Sequence, residues 1–115
     1  SREAARAAGD AVPLLQKATD VVVLVVDAAA AGVRFSDQPG SGLAGYLTRH
    51  GVKARVKQVA SGGAIGAAIL AQVQEEQADL LVMGGYGHSR VREMLFGGTT
   101  RHILEQVPIP VLLAH

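Results

Sequence analysis

The chain has 115 residues, no cysteine and a formal net charge of +1 at pH 7. The lack of cysteine excludes disulfides, thiolate metal ligands and cysteine nucleophiles. With 11 basic and 10 acidic residues, there is no electrostatic reason to expect nucleic acid or an anionic membrane as a partner. No apolar run approaches the roughly 20 residues of a membrane helix, so we expect a single cytoplasmic domain over residues 1–115.

The first half of the chain predicts two helices around a buried strand. Apolar residues near a 3.6-residue period predict a helix over residues 2–18, which Pro13 should bend because proline removes a backbone donor. The run VVVLVV at residues 21–26 predicts a strand that is apolar on both faces, as a parallel sheet covered by helices requires. Residues 28–41 lack a period and predict a loop before a short helix over residues 43–50.

The second half continues the alternation. Gly51 should end the preceding helix, and residues 53–59 alternate as a half-exposed strand in which Val56 faces inward and Lys57 outward. Ser61 is the predicted N-cap of a helix over about 64–77, with Ile65, Ile69, Leu70 and Val73 as its buried stripe. The remaining predicted elements are a strand over residues 80–83, a helix from Thr99 or Thr100 to Gln106 and a strand over Val111–Ala114. This alternation predicts an α/β fold, a doubly wound and mostly parallel open sheet with helices on both faces.

A glycine-rich segment runs from Gly84 to Thr100, between a buried strand and a helix N-terminus. Open α/β sheets bind ligands at the carboxyl ends of their strands. Glycines allow a close approach of the backbone, and successive N–H groups can surround phosphate oxygens. The segment contains no lysine, which excludes a P-loop. Ser61-Gly62-Gly63 resembles the start of another type of phosphate loop, but we interpret it as a helix cap.

The spacing of three glycines carries a family resemblance. Gly84, two residues, Gly87, nine residues and Gly97 resemble the Gly-x2-Gly-x9-Gly pattern of the universal stress protein family. The surrounding ADLLVMG and VPIPVLLAH, and the opening SREAARAA, agree with that family. The resemblance covers residues 1–115, and GGYGHSR and VLLAH look most like the second half of tandem bacterial members.

The resemblance implies an adenine nucleotide, ATP with or without Mg²⁺, as the ligand. Motif glycines would contact ribose and phosphates, and the end of the first predicted strand would lie near the base. The implied nucleotide-binding residues are Gly84, Gly85, Gly87, His88, Arg90, Gly97, Gly98, Thr99, Thr100, Val26 and Asp27. Gly98 stands where the family has Ser or Thr, and Thr99 and Thr100 are the candidate substitutes. For His88 and Arg90, an exposed position without a ligand contact remains an open alternative.

The family's first strand, central in its sheet, has no counterpart in the printed sequence. A sheet without its middle strand would split. We therefore expect that the printed chain is incomplete at its N-terminal end, or that another chain supplies the strand.

Three functions remain open on the sequence alone. The first is a nucleotide-binding stress-response module with at most slow hydrolysis, since the segment offers neither a lysine nor an evident base. The second is an interaction module without nucleotide, which the Gly98 departure favours; either module is expected to pair as a homodimer or with a tandem domain through Val111–Ala114. The third, an enzyme using the same cleft, has the least support. No metal site is expected, because the histidines lack ligand spacing.

Overall fold

The computed structural model describes residues 2–27, 40–84 and 98–114, in which helices and strands alternate. In chain order the elements are α1 Arg2–Leu15, β1 Val21–Asp27, α2 Ser41–Arg49, β2 Ala54–Ala60, α3 Ile65–Glu75, β3 Leu81–Gly84, α4 Gly98–Gln106 and β4 Val111–Ala114. None of these described helices has the length and apolar character needed to cross a membrane. The predicted order of elements is therefore confirmed.

The ends of several elements differ from the prediction by a few residues. Helix α1 continues through Pro13 but ends at Leu15, three residues early. Helix α2 begins at Ser41, two residues early. Gly51 follows α2 with a φ of +79° and donates its N–H to the Thr48 carbonyl, so the predicted glycine stop is confirmed.

The strands pair in two parallel, two-stranded sheets. Strand β1 pairs with β2 from Val21 opposite Ala54 to Asp27 opposite Ala60. Strand β3 pairs with β4 from Leu81 opposite Val111 to Gly84 opposite Ala114. The parallel pairing is the one that alternating strands and helices predict.

The chain divides into two compact units. The first unit comprises residues 1–11 and 66–115 and contains β3, β4, α4 and most of α1 and α3. Among the described residues of this unit, the buried ones are Ala7, Ala8, Ala11, Gly66, Val73, Thr100 and Ile103. Of the predicted α3 stripe, Val73 is buried while Ile69 and Leu70 are half-buried.

The second unit comprises residues 12–65 and is built on β1, β2 and α2. Its core residues are Val12, Leu15, Val23, Leu47 and Val52. Gly40 precedes α2 with a φ of +87°, and a β-carbon there would lie 2.8 Å from Val25 Cγ2 and 3.4 Å from Val56 Cγ1. The chain therefore enters α2 in direct contact with this sheet, at a position that only glycine fits.

The predicted alternation of exposure along β2 is wrong at two residues. Val56 is exposed, whereas Lys57 is half-buried. Lys57 lies opposite Leu24 in the parallel register, on the same face of the sheet. A lysine can lay its aliphatic stem along such a neighbour while its ammonium group stays in water, so its charge does not determine its exposure here.

Ser61 does not cap α3, contrary to the prediction. Its hydroxyl oxygen accepts a hydrogen bond from the Gly63 N–H at 3.1 Å, and α3 begins only at Ile65. Gly62 and Gly63 both have positive φ, at +65° and +99°. The two glycines place a turn between Ser61 and the helix, so Ser61 lies four residues before the first residue of α3 and outside its N-cap position.

Candidate functional site

The structure describes both ends of the glycine-rich segment. Gly84 is the last residue of β3 and pairs with Ala114, and Gly98 is the first residue of α4. Five of the predicted site residues lie between them, outside the described residues: Gly85, Gly87, His88, Arg90 and Gly97. The described part of this candidate site therefore consists of Gly84 and the first turn of α4, both in the first unit.

Gly84 is in close contact with the first turn of α1. A β-carbon at Gly84 would lie 2.5 Å from the carbonyl carbon of Glu3 and 2.7 Å from the Ala4 nitrogen, and it would also overlap Glu3 Cβ. These neighbours include backbone atoms, which cannot move aside as a flexible side chain can. The packing of α1 against the end of β3 therefore requires a residue without a side chain at position 84. This requirement comes from contacts inside the protein.

The two threonine residues in the first turn of α4 differ in their exposure to solvent. Thr99 is half-buried, while Thr100 is only 6% exposed. One turn later, Ile103 is fully buried and fixes the helix in the first unit. Of the two candidate substitutes for the family's Ser or Thr, Thr99 is therefore the more accessible.

The first turn of α4 carries one charged side chain, that of Arg101. The first turn has no acidic residue, and its leading N–H groups lack partners within the helix. Arg101 donates from Nε to the Glu105 carboxylate at 3.1 Å, and both side chains are exposed. Within its own first turn, α4 therefore has no acidic group that offsets the positive end of the helix dipole. The Arg101 guanidinium points toward Glu105, one turn further along the helix.

The residues predicted near the base belong to the second unit. Val26 is half-buried, and Asp27 ends β1 opposite Ala60. An ion pair lies at the beginning of the same strand pair: Arg55 donates to both carboxylate oxygens of Asp20, at 3.1 and 2.9 Å. This hydrogen bonding holds the pKa of Asp20 below its ordinary value.

In residues 2–27, 40–84 and 98–114, no three His, Cys, Asp or Glu side chains come together in a group that could hold a metal ion.

Sequence reasoning missed Glu3 and Ala4 as neighbours of the glycine-rich segment. Their contact with Gly84 joins distant parts of the chain, and neither composition nor periodicity carries a signal for it.

Comparison with known proteins agrees with this architecture. The model of the universal stress protein family matches residues 1–115. The universal stress protein Slr1230 of Synechocystis sp. is 48% identical over 44 residues, which are 37% of this chain and 15% of that protein, so the match spans a small part of that relative.

Two solved structures share the fold over the whole chain. A universal stress protein from Archaeoglobus fulgidus has a TM-score of 0.79 at 17% identity, covering 100% of this chain and 91% of that one. A structure of the A. fulgidus universal stress protein in complex with dAMP has a TM-score of 0.76 at 16% identity, with coverages of 100% and 90%. These two structures show the α/β fold of parallel strands. The family match over residues 1–115 establishes that this chain belongs to the universal stress protein family.

Proposed function

We propose that this domain is a cytoplasmic stress-response module that binds an adenine nucleotide, ATP with or without Mg²⁺, in the segment between β3 and α4. The observation that carries the proposal is the position of the segment. It begins at Gly84, the carboxyl end of a parallel strand, and ends at Gly98, the first residue of a helix. Strand ends and helix N-termini of this kind bind phosphate groups, and the A. fulgidus relative was solved with dAMP.

In this proposal the phosphates lie near the N–H groups of the first turn of α4, with Thr99 as the hydroxyl donor. Gly98 lacks the hydroxyl group of the family pattern but retains its N–H. The glycines Gly85, Gly87 and Gly97 leave room for the ribose and phosphates, and His88 and Arg90 offset phosphate charge. For Val26 and Asp27, the family resemblance implies a position near the adenine.

The proposed activity is binding, with hydrolysis that is slow at most. Fast phosphoryl transfer to water requires charge stabilisation and a group that orients the water. The three lysines are at positions 17, 53 and 57, all outside the segment. The bound nucleotide would act by changing the surface offered to a partner.

The experiment uses the weak ultraviolet absorbance of the protein's own side chains, since the chain has no Trp and two Tyr. A nucleotide that copurifies would dominate the ultraviolet spectrum near 260 nm, and calorimetry with ATP measures the affinity of the stripped protein. Gly87→Val should abolish binding by filling the space of the phosphates. Gly42→Val is the matched control, because Gly42 is exposed in α2 and a β-carbon there meets nothing within 4 Å.

The binding measurements distinguish the proposed function from its alternatives. Binding by the unaltered protein and by Gly42→Val, with loss in Gly87→Val, supports the proposal. Normal binding by Gly87→Val means that the segment is not the site. A protein that copurifies with no nucleotide and gives no heat with ATP does not have the proposed function, and rapid multiple turnover of ATP would instead indicate an enzyme.

A second candidate function is a pairing module that works without nucleotide. Its support is the apolar surface near the C-terminus: Leu104 in α4 is 43% exposed and Leu113 in β4 is 39% exposed. Among the described strands, β4 pairs with β3 alone, so its other edge offers backbone groups to a further strand. A homodimer, or a tandem domain, would pair through Val111–Ala114.

Sedimentation analysis tests the pairing. If the protein is a dimer through β4, Leu113→Lys should convert it to a monomer by placing a charge in the interface. Leu14→Lys is the control, since Leu14 is 52% exposed in the last turn of α1, in the second unit. A protein that is monomeric at all concentrations, or a dimer that Leu113→Lys leaves intact, contradicts pairing through β4.

A further inference from the structure

Strand β2 has an outer edge that no other described strand covers. In the part of the chain that the structure describes, β2 pairs with β1 alone. Val21 donates its N–H to the Lys53 carbonyl at 2.9 Å, so Lys53 and every second residue after it direct their backbone groups toward β1. The N–H and C=O groups of Val56, Gln58 and Ala60 therefore point away from β1, where a further strand can pair with them.

The side chains along this edge differ between the two faces of the sheet. Val56, Gln58 and Ala60 share one face, and all three are exposed. On the opposite face every second residue is basic, from Lys53 to Lys57. A strand added to this edge would therefore have uncharged side chains beside it on one face and cationic side chains on the other.

The positive charge of the second unit exceeds what its own carboxylates can neutralise. Residues 12–65 contain six basic and three acidic side chains. One of the acidic side chains, Asp20, forms its ion pair with Arg55. Three cations of the unit would remain even if each of its carboxylates formed such a pair. Lys53 is exposed and, among the described residues, takes part in no ion pair. Part of the excess charge therefore lies beside the edge.

This charge determines which kind of strand the edge can accept. A second copy paired through the same edge would place basic side chains opposite their counterparts, and like charges in that position destabilise a strand pair. Lysine on an edge strand opposes such self-pairing. A strand with a carboxylate at every second residue would instead meet the cations with complementary charge. Its backbone would form the hydrogen bonds by which extended peptides add to a sheet edge.

We propose that the outer edge of β2 is a docking site for an extended protein segment in which acidic and apolar residues alternate. The segment pairs with the outward backbone groups of Val56, Gln58 and Ala60. Its carboxylates lie on the face of Lys53, and its apolar side chains lie on the face of Val56, which is 36% exposed. The site is built from β2, and the inference does not depend on nucleotide binding.

The first test compares three labelled peptides by fluorescence anisotropy. One peptide alternates glutamate and valine, and the matched peptides carry glutamine or lysine in place of glutamate. The unaltered protein should bind the glutamate peptide about tenfold more tightly than the glutamine peptide, and the lysine peptide more weakly still. Equal binding of the glutamate and glutamine peptides would contradict the proposal, as would no binding of the glutamate peptide up to about 1 mM.

A second test removes one backbone donor from the edge. Gln58→Pro deletes an N–H that points away from β1, at a position where an edge strand tolerates proline. Gln58→Ala removes the same side chain but keeps the N–H, so the difference between the two variants measures the backbone contribution. Gln58→Pro should bind the glutamate peptide at least about fivefold more weakly than Gln58→Ala. Equal affinities would mean that the peptide does not pair with β2, and the inference would be wrong.

A third test reverses one charge and does not rely on the proline variant. Lys53→Glu should weaken binding of the glutamate peptide about three- to tenfold and strengthen binding of the lysine peptide. Lys17→Glu is the control, because it makes the same change of charge at an exposed position in the turn after α1, outside β2. Equal weakening by both variants would mean that the net charge, and not this edge, sets the affinity, and would overturn the inference.

Competition distinguishes the proposed occupant from the other candidates. A single-stranded DNA oligonucleotide that binds more tightly than the glutamate peptide, with an affinity that Gln58→Pro leaves unchanged, would assign the basic face to nucleic acid and overturn the proposal. A homodimer that the glutamate peptide cannot dissociate and that Lys53→Glu strengthens would show that a second copy occupies the edge. A protein whose bound glutamate peptide is displaced by an unlabelled copy, and poorly by the oligonucleotide, supports the docking site.

Discussion

Gly66 in α3 faces the imidazole ring of His102 in α4. A β-carbon at Gly66 would lie 3.0 Å from Cδ2 of His102 and 3.7 Å from its Cγ. Gly66 is buried and His102 is exposed. Helices α3 and α4 therefore meet through a residue without a side chain on α3 and the flat ring of His102 on α4.

This contact predicts a coupling between the two positions. Alanine in place of a helical glycine stabilises by about 0.5–1 kcal/mol, but in the unaltered protein the new methyl group meets the His102 ring. We expect Gly66→Ala to change the free energy of unfolding by less than about 0.5 kcal/mol, and to stabilise by about 1 kcal/mol in a His102→Ala background. Urea unfolding of the four proteins measures this cycle, and a coupling of zero would contradict the contact.

Gly84→Ala is predicted to be strongly destabilising. The new β-carbon would lie 2.5 and 2.7 Å from backbone atoms of Glu3 and Ala4, so either α1 or the end of β3 must shift. We expect a loss of about 3 kcal/mol or more in the free energy of unfolding, at the upper end of overpacking costs. Thermal or urea unfolding measures the loss.

The control for that variant is Gly42→Ala, in α2, where a β-carbon meets nothing within 4 Å. It should be neutral or stabilise by up to about 1 kcal/mol. A Gly84→Ala protein as stable as the unaltered one would mean that α1 does not pack against the end of β3.

The sequence predicted most of the elements because local signals define them. The run VVVLVV marks β1 over nearly its whole length, and Pro110 directly precedes β4, whose ends at Val111 and Ala114 were predicted correctly. Such signals depend on neighbours within a few residues. They predict the order of elements, from which the parallel pairing follows.

The errors arose where contacts between distant residues or unusual backbone angles decide the structure. Nothing near Ser61 indicates that Gly62 and Gly63 would both adopt positive φ and delay α3 to Ile65. The role of Gly84 in packing against Glu3 is likewise a contact between distant segments. The predicted ligand role of Gly84 came from spacing alone, which does not distinguish a glycine that admits a ligand from one that admits a helix.

A comparison of Gly40→Ala with Gly51→Ala distinguishes the destabilisation caused by backbone strain from the destabilisation caused by overpacking. Both glycines have positive φ, at +87° and +79°, but a β-carbon at Gly40 would lie 2.8 Å from Val25 Cγ2, whereas one at Gly51 meets nothing within 4 Å. Gly51→Ala should therefore cost about 1–2 kcal/mol from strain alone. Gly40→Ala should cost about 1–3 kcal/mol more through overpacking. Urea unfolding measures both, and equal losses would show that Gly40 is not packed against the sheet.

The ion pair between Asp20 and Arg55 predicts a specific acid dependence of stability. Hydrogen bonds from Arg55 lower the pKa of Asp20 below its ordinary value of 3.8, so the folded state binds this proton less readily than the unfolded state. The stabilisation is therefore complete above that ordinary value and is lost as the pH falls through the lower, folded-state pKa. Both side chains are about half exposed, so the effect should be small and should decrease with added salt.

Asp20→Asn tests this dependence, because asparagine keeps the shape of the side chain but does not titrate. Thermal unfolding midpoints of both proteins, measured from about pH 6 to about pH 2.5, should differ most at the upper end and converge at the lower end. An NMR titration of the Asp20 carboxyl carbon should show the lowered pKa directly, and Arg55→Gln should bring it back toward its ordinary value. A midpoint difference that is constant with pH would mean that Asp20 acts through its shape, without a contribution from its charge.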